Sequence, residues 1–201
     1  PVILFTSFNP GSGKTFLAVN TAACIALKGK RVLVIDGDLR RSSASAYVGK
    51  PHTGLSDYLA HRTDDISQVI TDVEDFPTLH ILPVGTIPPN PTELLAEKSF
   101  KELVERLRGS YDYIFIDCPP IDIVADTQII SKLADRTIFI VRAGLLEREM
   151  LPELQKMYDE KRFNNMALVL NATQATHSRY AYRYGYYNSY AAPYIPNKNR
   201  I

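Results

Sequence analysis

Residues 7–15 of the chain read SFNPGSGKT, directly after a run of apolar, β-branched residues and directly before a helical pattern. No other stretch narrows the choice of fold as much. Gly11 and Gly13 let the backbone curl so that successive N–H groups face one anion, and the helix that follows adds the positive end of its dipole. Lys14 reaches the outer phosphates of a polyphosphate, and the Thr15 hydroxyl suits a hard divalent cation. The stretch is a P-loop in the strand-to-helix context such a loop requires, with Pro10, Gly11, Ser12, Gly13, Lys14, Thr15 and Phe16 as the ligand-binding residues. Its departure is Phe8, which stands where the full pattern has its first glycine.

The rest of the chain supplies the sheet that this loop needs. VILFTS (2–7), RVLVID (31–36), LHILPV (79–84), YDYIFID (111–117), RTIFIV (136–141) and MALVLN (166–171) read as six buried strands. Helical patterns lie between most of them, at 14–27, 92–107, 123–133 and 147–161. The second of these starts is well marked by Asn90 as a cap, Pro91 at the first helical position and Glu93 to complete a capping box. Leu94, Leu95, Phe100, Leu103, Val104 and Leu107 are expected on its core-facing side. Alternating strands and helices predict an α/β fold: a P-loop NTPase three-layer sandwich with a mainly parallel sheet. Residues 37–78 are expected to be largely irregular, with weak helical turns at 55–59 and 66–70.

Two further strand ends carry acid. Asp36 closes the second strand with Asp38 two residues on, and Asp117 closes the strand at 111–117. In a parallel sheet these ends open onto the same edge as the P-loop, where ligands bind. Carboxylates beside a polyphosphate call for a divalent ion, and Mg²⁺ prefers such oxygen ligands. Cys118, Pro119 and Pro120 follow Asp117, so no glutamate stands there to activate water, which argues against rapid hydrolysis as the main task. Asp36 or Asp38 is then free to act as base toward a hydroxyl brought into the site.

Composition removes other classes. With 23 Lys and Arg against 22 Asp and Glu, no overall field draws the chain to nucleic acid or an anionic membrane. Cys24 and Cys118 form no disulfide or zinc spacing with the four histidines, which fits a reduced setting. No apolar run approaches the ~18 residues of a membrane span. The chain begins at Pro1 and enters a strand at once, so a fragment is expected, with any anchor upstream.

At the other end, RYAYRYGYYNSYAAPY (179–194) holds seven of the twelve tyrosines: Tyr180, Tyr182, Tyr184, Tyr186, Tyr187, Tyr190 and Tyr194. A segment so poor in aliphatic groups does not offset ordering entropy of ~1–2 kcal/mol per residue by itself, so a mobile tail at 172–201 is expected beside a folded domain at 1–171.

SFNPGSGKT, VLVIDGDLR (32–40), YIFIDCPP (113–120) and the tyrosine cluster together resemble the Walker A, A′ and Walker B motifs and tail of the bacterial protein-tyrosine kinases of capsule and exopolysaccharide systems. PPNPTELL (88–95) also resembles a stretch common to that group. The resemblance implies ATP-dependent autophosphorylation of the tail tyrosines in a fold related to the partitioning and division-site ATPases. It makes Lys14 and Thr15 the phosphate and Mg²⁺ ligands, Asp36 and Asp38 the base and metal contacts, and Asp117 the holder of the Mg²⁺ shell. Asn171 falls where related folds read adenine. The partners implied are the tail of a neighbouring subunit in a ring oligomer, a membrane-embedded co-polymerase region upstream or on a separate chain, and a cognate tyrosine phosphatase, but no nucleic acid. The implied location is the cytoplasmic side of the bacterial inner membrane, with this fragment itself soluble. Two departures matter: Asn9 replaces the lysine that reaches across a dimer in partitioning ATPases, and Ser42 replaces a usual proline. The competing readings are a partitioning-type ATPase switch and an inactive nucleotide-binding scaffold.

Overall fold

The computed structural model of the chain describes residues 1–121 and 125–173. Its seven strands are β1 (Val2–Ser7), β2 (Val32–Asp36), β3 (Thr71–Val73), β4 (Phe76–Leu82), β5 (Tyr113–Asp117), β6 (Arg136–Arg142) and β7 (Met166–Asn171). They form one sheet in the order β3-β4-β2-β5-β1-β6-β7, parallel throughout except for β3, which pairs antiparallel with β4. The central strands are buried on both faces, which is why they read as unbroken apolar runs.

The two faces sort by alternation. Val2, Leu4, Leu33, Ile35, Ile114 and Ile116 join one core, and Phe5, Val32, Val34 and Phe115 join the other. The second core is closed by α1 (Lys14–Ala26), whose Ala18, Val19, Ala22 and Ala23 let the helix lie close against the sheet. Opposite it pack α2 (Leu55–Leu59), α3 (Pro91–Ala96), α4 (Lys98–Arg108) and α5 (Asp126–Ser131). The last helix, α6 (Leu151–Asp159), covers Phe139 of β6 with Leu154 and Met157. Burying a Leu or Phe side chain in these layers contributes about 1.5–3 kcal/mol. Among the described residues no helix is long and apolar enough to cross a membrane.

The helix expected over 92–107 is two helices, α3 and α4, separated by Glu97 in an extended conformation (φ −66°, ψ 152°). The reason lies in the helical period. At about 100° per residue, Leu94 and Leu95 would face away from Phe100, Leu103, Val104 and Leu107 in one straight helix. The break at Glu97 turns both sets toward one core. Two other helices are shorter than expected. The pattern at 147–161 divides into a 3-10 turn at Arg148–Met150 and α6, which begins beside Pro152. That at 123–133 contains α5, while residues 122–124 lie outside the described residues. Residues 37–78 hold 3-10 turns at Ala44–Val48 and Ile66–Gln68, together with α2 and β3. The strand β3 has three residues with no apolar alternation to reveal it, and its partner β4 starts at Phe76, earlier than expected.

Candidate functional site

The P-loop is held from behind by its own backbone oxygens. Ser7 and Ser12 donate from Oγ to the Asn9 carbonyl (2.7 and 2.8 Å), Arg142 Nη1 donates to the Gly11 carbonyl (2.7 Å), and Asn171 Nδ2 donates to the Ser12 carbonyl (2.9 Å). With the carbonyls tied down, the N–H side of the curl is left for a ligand. Gly13 has a left-handed backbone (φ 95°), and a Cβ there would stand 2.3 Å from Asn171 Nδ2. Any side chain would therefore displace the loop or Asn171.

In front of the loop lies a cleft of about 620 Å³. Pro10, Gly11, Gly13, Lys14, Thr15, Phe16, Asp38, Asp117 and Asn171 all line it. Ser12 and Asp36 do not: Ser12 braces the loop, and Asp36 is fully buried. The Lys14 side chain is almost wholly enclosed, and burial lowers its pKa against the opposing pull of the Asp117 and Asp38 carboxylates.

The acids differ from one another. Asp36 and Asp117 are register partners across β2 and β5 and are both buried. Asp36 Oδ2 accepts from Ser45 N (2.7 Å) and Ser45 Oγ (2.6 Å). Burial, followed by the Asp117 charge, pushes Asp36 up to about 7 in spite of those bonds. Thr15 Oγ1 donates to Asp117 Oδ2 at 2.6 Å; burial raises Asp117 to about 6, opposed by that bond and by the Lys14 charge. The Oδ1 atoms of both acids are buried without a hydrogen-bond partner. Asp38, beyond the strand end, is held differently: its Oδ1 accepts from the backbone N–H groups of Arg40 (3.3 Å) and Arg41 (3.2 Å) at the edge of the cleft. Cys118 is buried beside these acids, and burial pushes its thiol well above the usual range.

A buried carboxylate oxygen without a partner is the kind of atom that a cation or its bound water satisfies. Thr15 and Asp117, a hydroxyl and a carboxylate already in contact, fit Mg²⁺, which is held by one or two protein oxygens together with phosphate and water. Among the described residues no group of three or more His, Cys, Asp or Glu side chains is placed to cage a metal ion by itself.

Arg41, Tyr47, Lys50 and Arg142 also line the cleft and carry no sequence motif of their own. Arg142 ends β6, at the same sheet edge as the P-loop, and that placement was its only available signal. The seven tail tyrosines, Tyr180 to Tyr194, lie outside the described residues.

A family profile described as an AAA domain matches residues 1–165. The tyrosine-protein kinase CpsD of Streptococcus pneumoniae is 35% identical over 191 residues, covering 94% of this chain and 83% of that protein. The putative tyrosine-protein kinase EpsB of Ralstonia solanacearum is 36% identical over 202 residues, 98% of this chain, which spans only 26% of that protein. Among solved structures, the kinase domain of the Escherichia coli tyrosine kinase ETK aligns with a TM-score of 0.75 at 29% identity, over 88% of this chain and 71% of that one.

Proposed function

The chain belongs to the AAA-domain family and to the bacterial protein-tyrosine kinases, and from that premise we propose that it transfers the γ-phosphate of ATP to tyrosines of its own C-terminal cluster. The observation that carries the reading is the meeting of Lys14, the Thr15–Asp117 contact and Asp38 at one cleft. The kinase domain is residues 1–171, and the acceptors are Tyr180, Tyr182, Tyr184, Tyr186, Tyr187, Tyr190 and Tyr194 of the tail at 172–201.

The chemistry follows from the charges in the cleft. The loop N–H groups and the Lys14 ammonium bind the β- and γ-phosphates and stabilise the charge that spreads over the transferring group. Thr15 and Asp117 would hold Mg²⁺, which would supply neutralisation of the phosphate oxygens. Asn171 borders the same cleft and is assigned to the base end of the nucleotide. An incoming tyrosine hydroxyl, with a pKa near ~10, is a poor nucleophile until a carboxylate takes its proton. Asp38 is the residue for this role, because it lines the cleft while both Ser45 donors occupy Asp36. The tyrosine oxygen bonds to the γ-phosphorus, the bond to the β–γ bridging oxygen breaks, ADP leaves, and the tyrosine proton passes to Asp38 and then to water.

Tyr180 lies nine positions beyond Asn171, a reach of at most about 30 Å, which serves either the same cleft or a neighbour's. We assign transfer to the neighbour. Each phosphate adds roughly −1.5 to −2 charges, which the phosphates of the bound nucleotide repel, so assembly loosens as the tail fills. The setting that fits is capsule or exopolysaccharide synthesis at the inner face of a bacterial membrane, with a co-polymerase activator and a tyrosine phosphatase as partners. Asn9 and the tyrosine cluster favour this over an ATPase switch of the partitioning type. Mixing the parent chain with a Lys14→Met chain, ATP and Mg²⁺ tests it. Phosphate on the tail of the Lys14→Met chain is the expected result, and phosphate confined to the parent would exclude transfer between molecules.

A further inference from the structure

The motif PPNPTELL has no part in the chemistry above, yet its Thr92 reaches the loop that carries Asp38. Thr92 sits in the first turn of α3, and its hydroxyl bonds Asp126 Oδ1 at 2.5 Å. Asp126 opens α5 and its side chain is fully buried. Arg40 completes the ring: its Nε donates to Asp126 Oδ2 (3.3 Å) and its Nη2 to Thr92 Oγ1 (2.9 Å). Three segments far apart in sequence thus meet at one guanidinium.

The position of Arg40 gives the ring its consequence. Its own backbone N–H donates to Asp38 Oδ1, and the Asp38 carbonyl accepts from Ser42 N (2.9 Å). The guanidinium and the cleft carboxylate are therefore two ends of one short loop, anchored at the far end to two helices of the opposite layer. On the near side the loop is pinned at Gly37, whose N–H donates to the Asp117 carbonyl (2.9 Å), and where a Cβ would stand 3.0 Å from Ile116 and 3.2 Å from Ile130 of α5.

We infer that Arg40, Asp126 and Thr92 form a latch that sets the position of the Asp38 carboxylate, making all three positioning residues for phosphate transfer. None of the three lines the cleft, so their effect reaches the reaction through the Asp38 loop alone. The geometry is specific. A guanidinium donates from Nε and Nη2 in a fixed plane, whereas a lysine ammonium is a single point charge that does not span both partners. The Thr92 hydroxyl acts as both acceptor and donor, so valine, its isostere, removes two bonds with little change of shape.

This inference rests on the kinase reading, so the test carries one readout that does not depend on it. Amide hydrogen exchange of the full chain is followed for the peptide covering 37–45 in the parent, Thr92→Val, Thr92→Ser and Arg40→Lys. Thr92→Val and Arg40→Lys are expected to exchange there several-fold faster, with the P-loop peptide unchanged and Thr92→Ser like the parent. In parallel, Thr92→Val and Arg40→Lys are expected to lower kcat for phosphotyrosine formation about ten-fold with KM for ATP within about two-fold, since small displacements of a reacting group cost rate more than binding. Unchanged exchange at 37–45 in Thr92→Val overturns the latch whatever the activity. So does a kcat loss matched by an equal rise in KM, or one that Thr92→Ser fails to rescue. A parent that forms no phosphotyrosine contradicts the kinase reading and leaves the exchange result to decide the latch.

Discussion

Asp36 and Asp38 stand two residues apart at the end of β2, in opposite surroundings. Asp36 closes the strand, is fully buried, takes two bonds from Ser45 and keeps one oxygen without a partner. Asp38 is in the loop beyond, held by backbone N–H groups, and lines the cleft. The sheet explains the difference. A side chain on the last strand residue is enclosed by neighbouring strands, here Asp117 on β5, while two residues on the chain has left the ladder and faces the ligand edge. Asp36, sealed off from the cleft, stores electrostatic cost, while Asp38, also buried but lining the cleft, is placed to do chemistry.

The largest effect belongs to neither carboxylate but to the Lys14 ammonium, which feels the charges of Asp117 and Asp38. Replacing Lys14 with Met removes the positive charge from the phosphate site, and transfer is expected to fall by about 10³-fold or more with the circular dichroism spectrum unchanged. Retained phosphotyrosine in that variant would break the account of the cleft. Asp38→Asn comes next, with a loss of about 10²–10⁴ in kcat and ATP affinity kept, as for removal of a general base. If Asp36→Asn instead gave the larger kcat loss and Asp38→Asn little, the assignment of the two acids would have to be reversed.

The buried pair makes its own prediction about stability. Asp36 and Asp117 are raised from an ordinary 3.8 to about 7 and about 6, so the folded state holds protons that the unfolded state releases. Their contribution is fully present below pH 3.8 and is lost as pH rises through about 6 to 7. The thermal midpoint of the nucleotide-free, metal-free chain is expected to fall between pH 5 and pH 7.5, and Asp36→Asn to flatten that slope and raise the midpoint at pH 7.5. A midpoint insensitive to pH over that window would contradict the burial argument. The smallest effect is that of Arg142→Ala, which frees the Gly11 carbonyl and is expected to weaken ATP binding about five-fold, in line with roughly 1 kcal/mol for one hydrogen bond. Equilibrium titration with ATP checks it.

The residues that announced themselves in sequence are those whose spacing is local. SFNPGSGKT and the acidic strand ends are read from a few consecutive residues, and the parallel sheet follows from alternating strands and helices. Arg142 and Asn171 hold the P-loop from 131 and 159 residues away, a relation no local pattern encodes. The break at Glu97 was available in the helical period, because Leu94 and Leu95 fall opposite Phe100 and Leu103 in a straight helix. The hairpin strand β3 was not, since its three residues present one buried side chain. That Asp38 lines the cleft while Asp36 is sealed beside Asp117 depends on where β5 ends beside them, which the two-residue spacing alone leaves open.

The most direct measurement is the intact mass of the purified chain after incubation with ATP and Mg²⁺, followed by peptide mapping of residues 172–201. The account predicts phosphate increments on the tail tyrosines. An unchanged mass with ADP released would contradict it and point to an ATPase switch.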